Sequence, residues 1–541
     1  MASRFRWVMA PVQGELRDQL ARQIGISPLL AQCLLNRGHL SPGKIADFLD
    51  PKLRHLSDPF LLPDMPAAVE RLLAARDRKE PVVIFGDYDV DGVTSTAILL
   101  EVLEHLGLSV CGYLPNRMDE GYGLSNEGIA NCLEKHPVKL LIAVDCGSTS
   151  RDQIALLREK GVDVIVLDHH QISDPPPAPV ALVNPKRDSN GLFHELCSAG
   201  LSFKLAHALV KRLRERNCPR AVSFDLKPLL DLVALGTIAD VVPLVGENRI
   251  FATRGLEWIS STQRPGLQAL KAVSQTNQVI GVHEVGFQLG PRLNAAGRLE
   301  NALQALELLR ATSRAEAEPL AGELDACNQE RQRIERAISE QVVSNVRSVF
   351  DPDNDYVIVQ GDASWHIGVV GIVASRVLGE FYRPTIIVGG EGAEWRGSGR
   401  SIEGFDLAAA LRECDDLLIR HGGHAMAAGL AIDPEQFDAF RVRINEIARR
   451  AISREQLRPA LRLDAEVSLS DLTVERVMEL ERLKPFGPSN PSIHLVARRV
   501  AHQRPPQRIG KENQHLKFRV TDGKRSFDAL WWNCGMDVAL P

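Results

Sequence analysis

Three aspartates, Asp87, Asp89 and Asp91, follow directly on a short apolar run from Val82 to Phe85. The run is β-branched and aromatic, which predicts a buried strand that ends at the carboxylates. Carboxylates this close raise each other's pKa unless a cation neutralises them, so a core strand has little reason to end in three of them without a ligand. We therefore expect a metal site here. A solvated acidic turn is the alternative that this stretch alone leaves open.

A calcium loop is the obvious competitor, because D-Y-D-V-D-G matches the first six positions of the EF-hand pattern, glycine included. The match fails at the twelfth position, where Ile98 stands in place of the bidentate glutamate. Apolar residues from Val93 to Leu106 recur with helical spacing, so the motif is predicted to join a strand to a helix. Ligands of open α/β sheets collect at such strand ends.

Two later strands are predicted to end in the same way. One, over residues 138–144, ends in Asp145, and the other, over 162–167, ends in the run Asp168-His169-His170. Helices predicted between the strands indicate a parallel sheet, in which all carboxyl ends share one edge. We therefore expect these side chains to converge with the first three aspartates. Helix capping would explain an isolated case such as Asp145, but it is a poor common explanation for all three strand ends.

The two histidines are predicted to play different parts. If the chain is still extended through Asp168, His169 and His170, the two rings point to opposite sides. One ring then joins the metal ligands, and the other faces the substrate. A further candidate ligand is Asp240, because it lies in an otherwise apolar stretch and a buried carboxylate needs a partner.

The chemistry of this set favours particular ions. Carboxylate oxygens with one imidazole suit Mn²⁺ or Mg²⁺ better than zinc, which prefers more nitrogen or sulfur. Two such ions about 3.5 to 4 Å apart, bridged by Asp145, would activate water and stabilise both the attacking and the leaving oxygen of a phosphate ester. No serine or cysteine nucleophile is then needed.

Glycine-flanked segments carry the residues that could bind phosphate. G-P-R-L-N-A-A-G-R-L, residues 290–299, is predicted to be a turn that suits either phosphate or structural ion pairs. A second α/β lobe is predicted from Tyr356 to about Ile452, and in it W-R-G-S-G-R-S and H-G-G-H are predicted to be turns that close on an anion. The sequence contains neither G-x-x-x-x-G-K-[ST] nor G-x-G-x-x-G after a strand, which argues against the common nucleotide-binding folds.

Composition bounds the remaining possibilities. The 541 residues are 44% hydrophobic and 25% charged, as in ordinary globular proteins, and are enough for several domains. The nine cysteines are scattered without a C-x-x-C pair, which supports neither a zinc ribbon nor a disulfide framework. The sequence has no signal-peptide h-region and no apolar run near the roughly 20 residues of a membrane span, so we expect a soluble, cytoplasmic protein without a membrane partner.

Charge is distributed unevenly along the chain. The net charge of -5 argues weakly against a nucleic-acid partner, but basic residues strongly outnumber acidic ones between Arg498 and Arg525. Short predicted strands alternate with turns beyond Arg454, which is typical of a small OB-type β-barrel that binds nucleic-acid strands by charge and stacking. The chain ends soon after W-W-N-C-G, so we expect an incomplete barrel.

Taken together, these motifs resemble a known family. D-Y-D-V-D-G, V-D-C-G, L-D-H-H and A-D-V-V-P-L, spaced as here, resemble the DHH phosphoesterase superfamily, and G-S-G-R-S with H-G-G-H resembles its DHHA1 domain. Residues 290–299, a long helix and the C-terminal barrel make the chain similar to the bacterial single-strand-specific exonucleases within that superfamily. The resemblance implies a 5'-to-3' exonuclease that hydrolyses single-stranded DNA to 5'-mononucleotides with two Mn²⁺ or Mg²⁺ ions, in DNA repair and recombination.

The resemblance also implies roles for individual residues. The expected metal ligands are Asp89, Asp91, Asp145, His169 and Asp240. Asp87 and Asp168 are expected to be catalytic residues that bind the ions directly or stand next to them, and His170 is expected to face the scissile phosphate. The expected DNA-binding residues are Arg117, Asn294, Arg298, Ser398, Arg400, Ser401, Gly423 and His424. A single-stranded-DNA-binding protein and a repair helicase are expected partners besides the DNA itself.

The expected architecture is α/β, with a parallel-sheet DHH domain joined by a long helix to a second α/β domain and followed by an OB-like barrel. The predicted boundaries are an N-terminal helical segment at 1–70, the DHH domain at 71–305, the connecting helix at 306–350, the DHHA1 domain at 351–455 and the barrel at 456–541. Half of an antiparallel helix pair is the alternative for the helical pattern from Ser313 to Val349. Two other functions stay open, a phosphodiesterase or phosphatase acting on short oligonucleotides or small phosphoesters, and a catalytically inactive DNA-binding scaffold.

Overall fold

The structure is a computed structural model that describes residues 5–116, 119–121, 123–188, 191–276, 279–299, 302–390 and 392–534, without the side chains of 298 and 299. The strands are β1 Arg6–Met9, β2 Pro81–Gly86, β3 Ser109–Tyr113, β4 Leu140–Val144, β5 Asp163–Leu167, β6 Ala181–Val183, β7 Ile358–Asp362, β8 Thr385–Gly389, β9 Trp395–Arg400, β10 Arg420–His424, β11 Ala427–Ile432, β12 Ala460–Leu463, β13 Ala465–Glu466, β14 Leu495–Val496, β15 Ala501–His502, β16 Gln507–Ile509, β17 His515–Thr521 and β18 Ser526–Trp531.

The helices are α1 Gly14–Ile24, α2 Pro28–Asn36, α3 Pro42–Leu49, α4 Met65–Arg78, α5 Val90–His105, α6 Asn126–Lys135, α7 Arg151–Glu159, α8 Ser198–Glu215, α9 Pro219–Ser223, α10 Leu230–Ala239, α11 Gly246–Ser260, α12 Pro265–Val273, α13 Val282–Glu284, α14 Gly290–Leu299, α15 Leu303–Arg310, α16 Arg314–Val349, α17 Val370–Phe381, α18 Leu407–Arg412, α19 Phe437–Ala451 and α20 Val474–Leu480. In the part of the chain that is described, no helix is both long and apolar enough to cross a membrane.

The first sheet is parallel throughout, as predicted. Its strand order is β3-β2-β4-β5-β6, and each neighbouring pair runs in the same direction. The residues of β4 are all buried, which explains the apolar run that its sequence shows. Helix α5 packs on β2 and β3 and also against α8 and α10, so the helix that follows the acidic motif lies in the core of the lobe. The carboxyl ends of β2, β4 and β5 therefore meet at one edge.

The prediction of a turn at residues 290–299 is wrong, because this segment forms helix α14. The preceding residues Val285–Leu289 are wound as a π-helix, so the helical chain is continuous from Val282 through Leu299. The Arg292 guanidinium is paired with Asp325 of α16 at 2.8 Å. The sequence left open whether this segment binds phosphate or forms structural ion pairs, and Arg292 forms a structural ion pair.

The long helix predicted from Ser313 to Val349 is confirmed as α16, which has 36 residues. The hydroxyl of Ser313 caps it by accepting a hydrogen bond from the Glu316 amide. Helix α16 packs against α12, α14 and α15 of the first lobe and against α17 of the second. It therefore connects two lobes, as expected.

The second lobe is built on a mixed sheet with the order β10-β11-β9-β8-β7, in which β7 and β8 are parallel and the other pairs are antiparallel. The two predicted glycine-rich turns are wrong, because W-R-G-S-G-R lies in β9 and H-G-G-H lies in β10. Close packing explains the glycines of β9. A Cβ at Gly399 would lie 2.6 Å from Leu407 of α18, and one at Gly397 would lie 3.0 Å from Val388.

A separate compact unit contains residues 5–55 and 243–245 together with the described residues from Ala460 onward. Strand β1 was not predicted; it pairs in parallel with β12, with Arg6 opposite Ala460. The helices predicted for the N-terminal segment are present, and Leu30 and Leu34 of α2 share an apolar cluster with Leu480 and Leu483. The short strands predicted beyond Arg454 are also present: β14 pairs in parallel with β13, and β17 and β18 form an antiparallel sheet with β15 and β16.

Candidate active site

The first acidic motif occupies the junction between β2 and α5. The Oδ1 atom of Asp89 accepts hydrogen bonds from the amides of Asp91 and Gly92, at 2.9 and 3.1 Å, and so caps α5. A Cβ at Gly92 would lie 2.5 Å from the carbonyl oxygen of Asp87, which explains why glycine follows the third aspartate. The cap uses one carboxylate oxygen, so capping accounts for only part of what this motif does.

Asp145 ends β4 in an unusual conformation. Its φ of 62° lies in the left-handed region, while its amide still donates to the Leu167 carbonyl at 3.0 Å. Its Oδ1 atom accepts a hydrogen bond from the Ser198 hydroxyl at 3.0 Å and lies 3.3 Å from Nε2 of His169. Helix α7 begins after Ser150, so capping, the interpretation that Asp145 would invite by itself, is not its role.

The prediction that the two histidine rings point to opposite sides is wrong. Strand β5 ends at Leu167, and beyond it the Asp168 carboxylate accepts from the His170 amide at 3.1 Å, which bends the chain. The ring centroids of His169 and His170 are therefore 4.5 Å apart. Both rings approach Asp145, with His169 Nε2 at 3.3 Å and His170 Nδ1 at 3.9 Å.

Asp240 arrives from another element. It follows the last residue of α10, and its Oδ2 atom lies 3.4 Å from Nε2 of His169. The next residue, Val241, has a φ of 61°, which is rare for a β-branched residue and turns the chain sharply after the carboxylate. The apolar surroundings that singled out Asp240 in the sequence are those of α10, whose residues from Leu230 to Ile238 are buried.

The convergence predicted at the sheet edge is confirmed by the geometry. Ligand atoms come within 4.8 Å of one another in three groups: Asp87, Asp89 and Asp145; Asp91, His169 and Asp240; and Asp145, His169 and His170. Asp145 belongs to two of these groups, so it lies between Asp87 and Asp89 on one side and the two histidines on the other.

The electrostatics of this cluster call for a cation. Burial, followed by the charge of Asp91, raises the pKa of Asp240 to about 9. Burial and then the charge of Asp89 raise the pKa of Asp91 to about 6, although two amides donate to it. Burial and the neighbouring His170 lower the pKa of His169 to about 3, which leaves a neutral imidazole able to coordinate a metal.

Two buried polar atoms show whether the residues present suit a metal ion. The Nε2 atom of His169 and the Oδ2 atom of Asp240 are buried, and within the described ranges neither has a hydrogen-bond partner. Buried polar atoms are normally satisfied, so two orphaned ligand atoms that face each other at 3.4 Å indicate room for a cation. Hard carboxylate oxygens with imidazole match the preference of Mn²⁺ or Mg²⁺.

Asp168 is engaged differently from the other aspartates. Its Oδ1 atom accepts from Nδ1 of His170 at 2.8 Å, and its Oδ2 atom accepts from the Ser148 amide at 2.9 Å. Burial alone would raise its pKa, but the hydrogen bond and the charge of His170 lower it well below its usual range. In return, the pKa of His170 is raised despite its burial. Asp168 therefore orients and charges His170.

Sequence reasoning missed the start of helix α8. The amides of Ser198 and Ala199 donate to the two carboxylate oxygens of Asp91, at 2.7 and 2.8 Å, and the Ser198 hydroxyl donates to Asp145. The partial positive charge of a helix N-terminus favours carboxylates at this place. No carboxylate or glycine pattern marks C-S-A-G in the sequence, so only the apolar helix that follows it could have drawn attention to it.

Several predicted phosphate-binding residues lie on the second sheet. Arg400 donates to the Ser398 hydroxyl and to the Gly399 carbonyl, both at 2.8 Å, and among the described residues it has no carboxylate partner within ion-pair distance. Burial lowers its pKa, so an anion would be a favourable neighbour. His424 is exposed on β10, and Gly423 adopts a φ of 133°, which glycine alone adopts readily.

The remaining predicted residues are placed less favourably or lie beyond what is described. The Ser401 hydroxyl is buried and donates to the Phe405 carbonyl at 2.7 Å, so it supports the fold. Asn294 accepts a hydrogen bond from the Val90 amide at 3.0 Å and so touches the acidic loop. Arg117 and the side chain of Arg298 lie outside the described residues.

Comparisons with known proteins agree with this geometry. Residues 81–237 match the model of the DHH family N-terminal domain, residues 354–450 match the DHHA1 domain and residues 463–540 match the RecJ OB domain. The curated single-stranded-DNA-specific exonuclease RecJ of Escherichia coli is 36% identical over 538 residues, which cover 95% of this chain and 90% of that protein. RecJ of Bacillus subtilis is 38% identical, and the alignment covers 99% of this chain but 66% of the relative's length.

Comparison with solved structures points to the same family. The crystal structure of RecJ from Thermus thermophilus in complex with Mn²⁺ superposes with a TM-score of 0.85 and 32% identity, covering 100% of this chain and 76% of that chain. The structure of the same protein in complex with Mg²⁺ gives a TM-score of 0.78 at 31% identity, covering 100% of this chain and 74% of that chain. Sequence, domain order and fold agree, and the chain therefore belongs to the RecJ family of single-stranded-DNA-specific exonucleases.

Proposed function

We propose that this protein hydrolyses single-stranded DNA from the 5' end and releases 5'-mononucleotides. The observation that carries the proposal is the position of Asp145 between two groups of potential metal ligands at the edge of the parallel sheet. That arrangement suits phosphodiester hydrolysis with two divalent ions, Mn²⁺ or Mg²⁺. Two such ions supply charge neutralisation at the scissile phosphate and activate water at neutral pH.

The residues available to hold the ions fall into two sets. Asp91, His169 and Asp240 would hold one ion, and Asp87 and Asp89 would hold the other, with Asp145 shared between them. Asp89 can do so while it caps α5, because the cap occupies its Oδ1 atom. Family resemblance and the ligand groups support these assignments.

His170 is the residue suited to act on the substrate. Its ring is 39% exposed, whereas the Asp168 carboxylate that orients it is buried. The raised pKa of His170 favours the protonated ring, which donates a hydrogen bond to a phosphate oxygen as negative charge develops there. Asp168 fixes the orientation by accepting from Nδ1, so Nε2 is the atom left to face the phosphate.

Arg400 and Ser398 are suited to hold the terminal phosphate of the strand. The Arg400 guanidinium is held in place by Ser398 and by the Gly399 carbonyl, and its remaining N–H groups can pair with an anion. A terminal phosphate bound there would set the distance between the strand end and the metal centre. The fixed distance would place the first phosphodiester bond of the strand at the metal centre. It therefore supports exonuclease action from a phosphorylated end.

Partners and cellular place follow from family resemblance. A single-stranded-DNA-binding protein would present the substrate, and a repair helicase would generate it, in DNA repair and recombination. Both of these proteins act on chromosomal DNA, so we propose that this protein is located in the cytoplasm.

The decisive experiment is a time course on DNA labelled at the 5' or the 3' end. Single and double strands are digested with Mn²⁺, with Mg²⁺ and with EDTA, and products are resolved by length. We expect 5'-labelled single strands to yield labelled mononucleotide at once, while 3'-labelled strands shorten progressively. Equal digestion of double strands, release from the 3' end, or activity confined to dinucleotides would reject the proposal, the last in favour of an oligonucleotide phosphodiesterase.

A further inference from the structure

One face of the second sheet carries two arginines that the proposed chemistry leaves unused. Side chains alternate along a strand, so Arg396, Ser398 and Arg400 of β9 point to the same face. Residues directly opposite one another in antiparallel strands share a face. Arg396 pairs with Ala431, and Ala431 pairs with Arg420, so Arg420 of β10 joins them.

The sheet between these arginines is low and open. The middle strand β11 presents Ala427, Gly429 and Ala431 to this face, and a Cβ at Gly429 would meet its first neighbour, the Gly397 carbonyl oxygen, only at 3.8 Å. The strands line a cleft of about 430 Å³ whose other side includes Tyr88 and Gly121 of the first lobe. Tyr88 lies between Asp87 and Asp89 in the sequence, so the cleft adjoins the acidic loop.

Arg396 and Arg420 share a single carboxylate. The Nε atom of Arg396 donates to Oε1 of Glu394 at 3.1 Å, and the Arg420 guanidinium donates to the same oxygen. The arginine side chains are 52% and 61% exposed, so most of their N–H groups are accessible. Two guanidiniums and one carboxylate leave a net positive charge beside the cleft.

We propose that Arg396 and Arg420 form a second phosphate subsite, which binds a phosphate of the DNA strand beyond the nucleotide being removed. The inference rests on the proposed function, because it takes the same substrate into the same cleft. Residues four apart in a strand are separated by about 13 Å, so a phosphate held at Arg400 cannot also reach Arg396. The subsite therefore serves strands that extend past the scissile bond.

Glu394 has a defined part in this subsite. It holds the two guanidiniums side by side, but it also competes with an incoming phosphate for the same N–H groups. Removing its charge should therefore strengthen binding of a long strand. If the three residues form only a surface ion pair, loss of Glu394 would release the arginines without any gain for a ligand, so KM for a long strand would stay the same or rise.

The test compares steady-state KM and kcat on a 5'-phosphorylated dinucleotide and on a long 5'-phosphorylated oligonucleotide, with Mn²⁺. We expect Arg420→Gln and Arg396→Gln each to raise KM for the long substrate about ten-fold and to leave the dinucleotide unchanged. Glu394→Gln should lower KM for the long substrate roughly three-fold. The matched controls are Arg333→Gln and Glu330→Gln, which break an exposed ion pair on α16 and should change neither substrate.

Each other outcome counts against the subsite. Equal rises in KM on both substrates would show that the arginines support the fold or the terminal phosphate. An unchanged or raised KM with Glu394→Gln would show that the cluster is a structural ion pair. Hydrolysis of neither substrate by the unaltered protein would overturn the proposed function, and the subsite with it.

Discussion

Asp145 is the residue on which both halves of the proposed metal centre depend. Its left-handed backbone, with a φ of 62°, costs a non-glycine residue about 1 to 3 kcal/mol and is tolerated best by aspartate and asparagine. Burial and the surrounding aspartates raise its pKa well above the usual range, so without a cation the charged form is unfavourable. Asparagine should therefore fit the fold while it removes the charge that a metal needs.

We expect Asp145→Asn to lower turnover of single-stranded DNA by roughly three orders of magnitude or more, because the shared ligand of both ions is weakened. Thermal stability in EDTA should be unchanged or raised, since one of several crowded carboxylates has become neutral. Calorimetry and digestion of labelled DNA measure the two effects. Near-normal turnover with saturating Mn²⁺ would contradict the shared-ligand arrangement.

Ser198 supports two of the proposed ligands without touching the substrate. Its hydroxyl donates to Asp145, and its amide donates to Asp91. We expect Ser198→Ala to weaken Mn²⁺ binding about ten-fold, as loss of a hydrogen bond behind a metal ligand commonly does, and to raise the Mn²⁺ concentration needed for half-maximal activity by a similar factor. Titration calorimetry with Mn²⁺ in the absence of DNA measures the first effect independently of catalysis.

The matched control is Ser202→Ala on the same helix. Ser202 is also buried, but in the described part of the chain its hydroxyl has no hydrogen-bond partner. The control variant should bind Mn²⁺ like the unaltered protein. Equal weakening in both variants would mean that α8 responds to any lost hydroxyl and that Ser198 has no special part.

At the residue scale, sequence reasoning found carboxylates more easily than the groups that orient them. Asp240 could be predicted because a carboxylate in an apolar helix needs a partner. Ser198 could not, because it bonds to residues 53 and 107 positions away in the chain and only the packed helix brings them together. The histidine rings were misjudged for a related reason, since a local hydrogen bond to Asp168 ends the extended chain that the prediction assumed.

At the element scale, the open face formed by β9, β11 and β10 is what a DNA strand would lie on. Helix α17 covers the β7–β8 side of the same face, where Ile358 and Ile387 belong to its apolar cluster. Gly371 at the start of α17 is so near to β9 that an added Cβ would lie 3.0 Å from the Ser398 hydroxyl. This face of the sheet is thus divided into a covered half that fixes Ser398 and an open half that has space for a ligand.

The two faces of the sheet predict opposite effects for substitutions at two glycines of neighbouring strands. Gly429→Val places a side chain on the open face, where there is space and where valine suits a strand, so stability should be unchanged. Because the valine side chain would displace the DNA strand from the proposed metal centre, kcat/KM on a long oligonucleotide should fall roughly a hundred-fold.

Gly399→Val is the comparison on the opposite face of the sheet, against which α18 packs. Its side chain would meet Leu407, to which a Cβ already approaches within 2.6 Å, and overpacking should lower the melting temperature. Thermal denaturation and kinetics of both variants separate the two effects. If Gly429→Val proves fully active, the open face of β11 does not carry the substrate.

The strand character of these segments shows where sequence prediction failed. Repeated glycines indicate turns when only local conformation is considered. Here they allow α18 to approach one face of the sheet and leave the β9–β11–β10 half of the other face open, and both requirements come from tertiary packing. The parallel first sheet was predictable because its buried strands β2 and β4 are continuous apolar runs, followed by the helices α5 and α7.

At the scale of the whole molecule, acidic and basic charge are separated along the chain. The protein has a net charge of -5, yet the loops between the C-terminal strands carry exposed basic residues such as Arg504, Lys511 and Lys524. Some neighbours are neutralised by ion pairs, since Lys517 and Arg519 both contact Asp528. The exposed residues are therefore the better candidates for contacts with DNA phosphates.

We expect simultaneous replacement of Arg504, Lys511 and Lys524 by glutamine to weaken binding of a long single strand. Each lost phosphate contact should reduce the slope of log affinity against log salt by about 0.7, while kcat at saturating DNA stays unchanged. The matched control replaces Lys139, Arg158 and Lys160, exposed residues that precede β4 and β5 at the opposite edge of the parallel sheet. An unchanged slope in the first variant would show that these residues do not contact the strand.

The pairing of the two chain ends could not be predicted from sequence. The N-terminal segment contains ordinary short helices, and nothing in its local pattern indicates that Arg6 lies opposite Ala460. Deleting the chain from Ala460 onward would therefore remove Leu480 and Leu483, which share an apolar cluster with Leu30 and Leu34. This is why the salt experiment changes charges and keeps the chain whole.

The shared cluster of α2 with Leu480 and Leu483 also sets an order of events on the ribosome. Helix α2 emerges early, but its partners are made more than 400 residues later. At about 5 to 20 residues per second, that interval lasts on the order of tens of seconds. Throughout it the nascent N-terminus exposes leucines that are fully buried in the finished protein. The intervening lobes can meanwhile complete their folding, so the first segment to be synthesised is among the last to reach its final contacts.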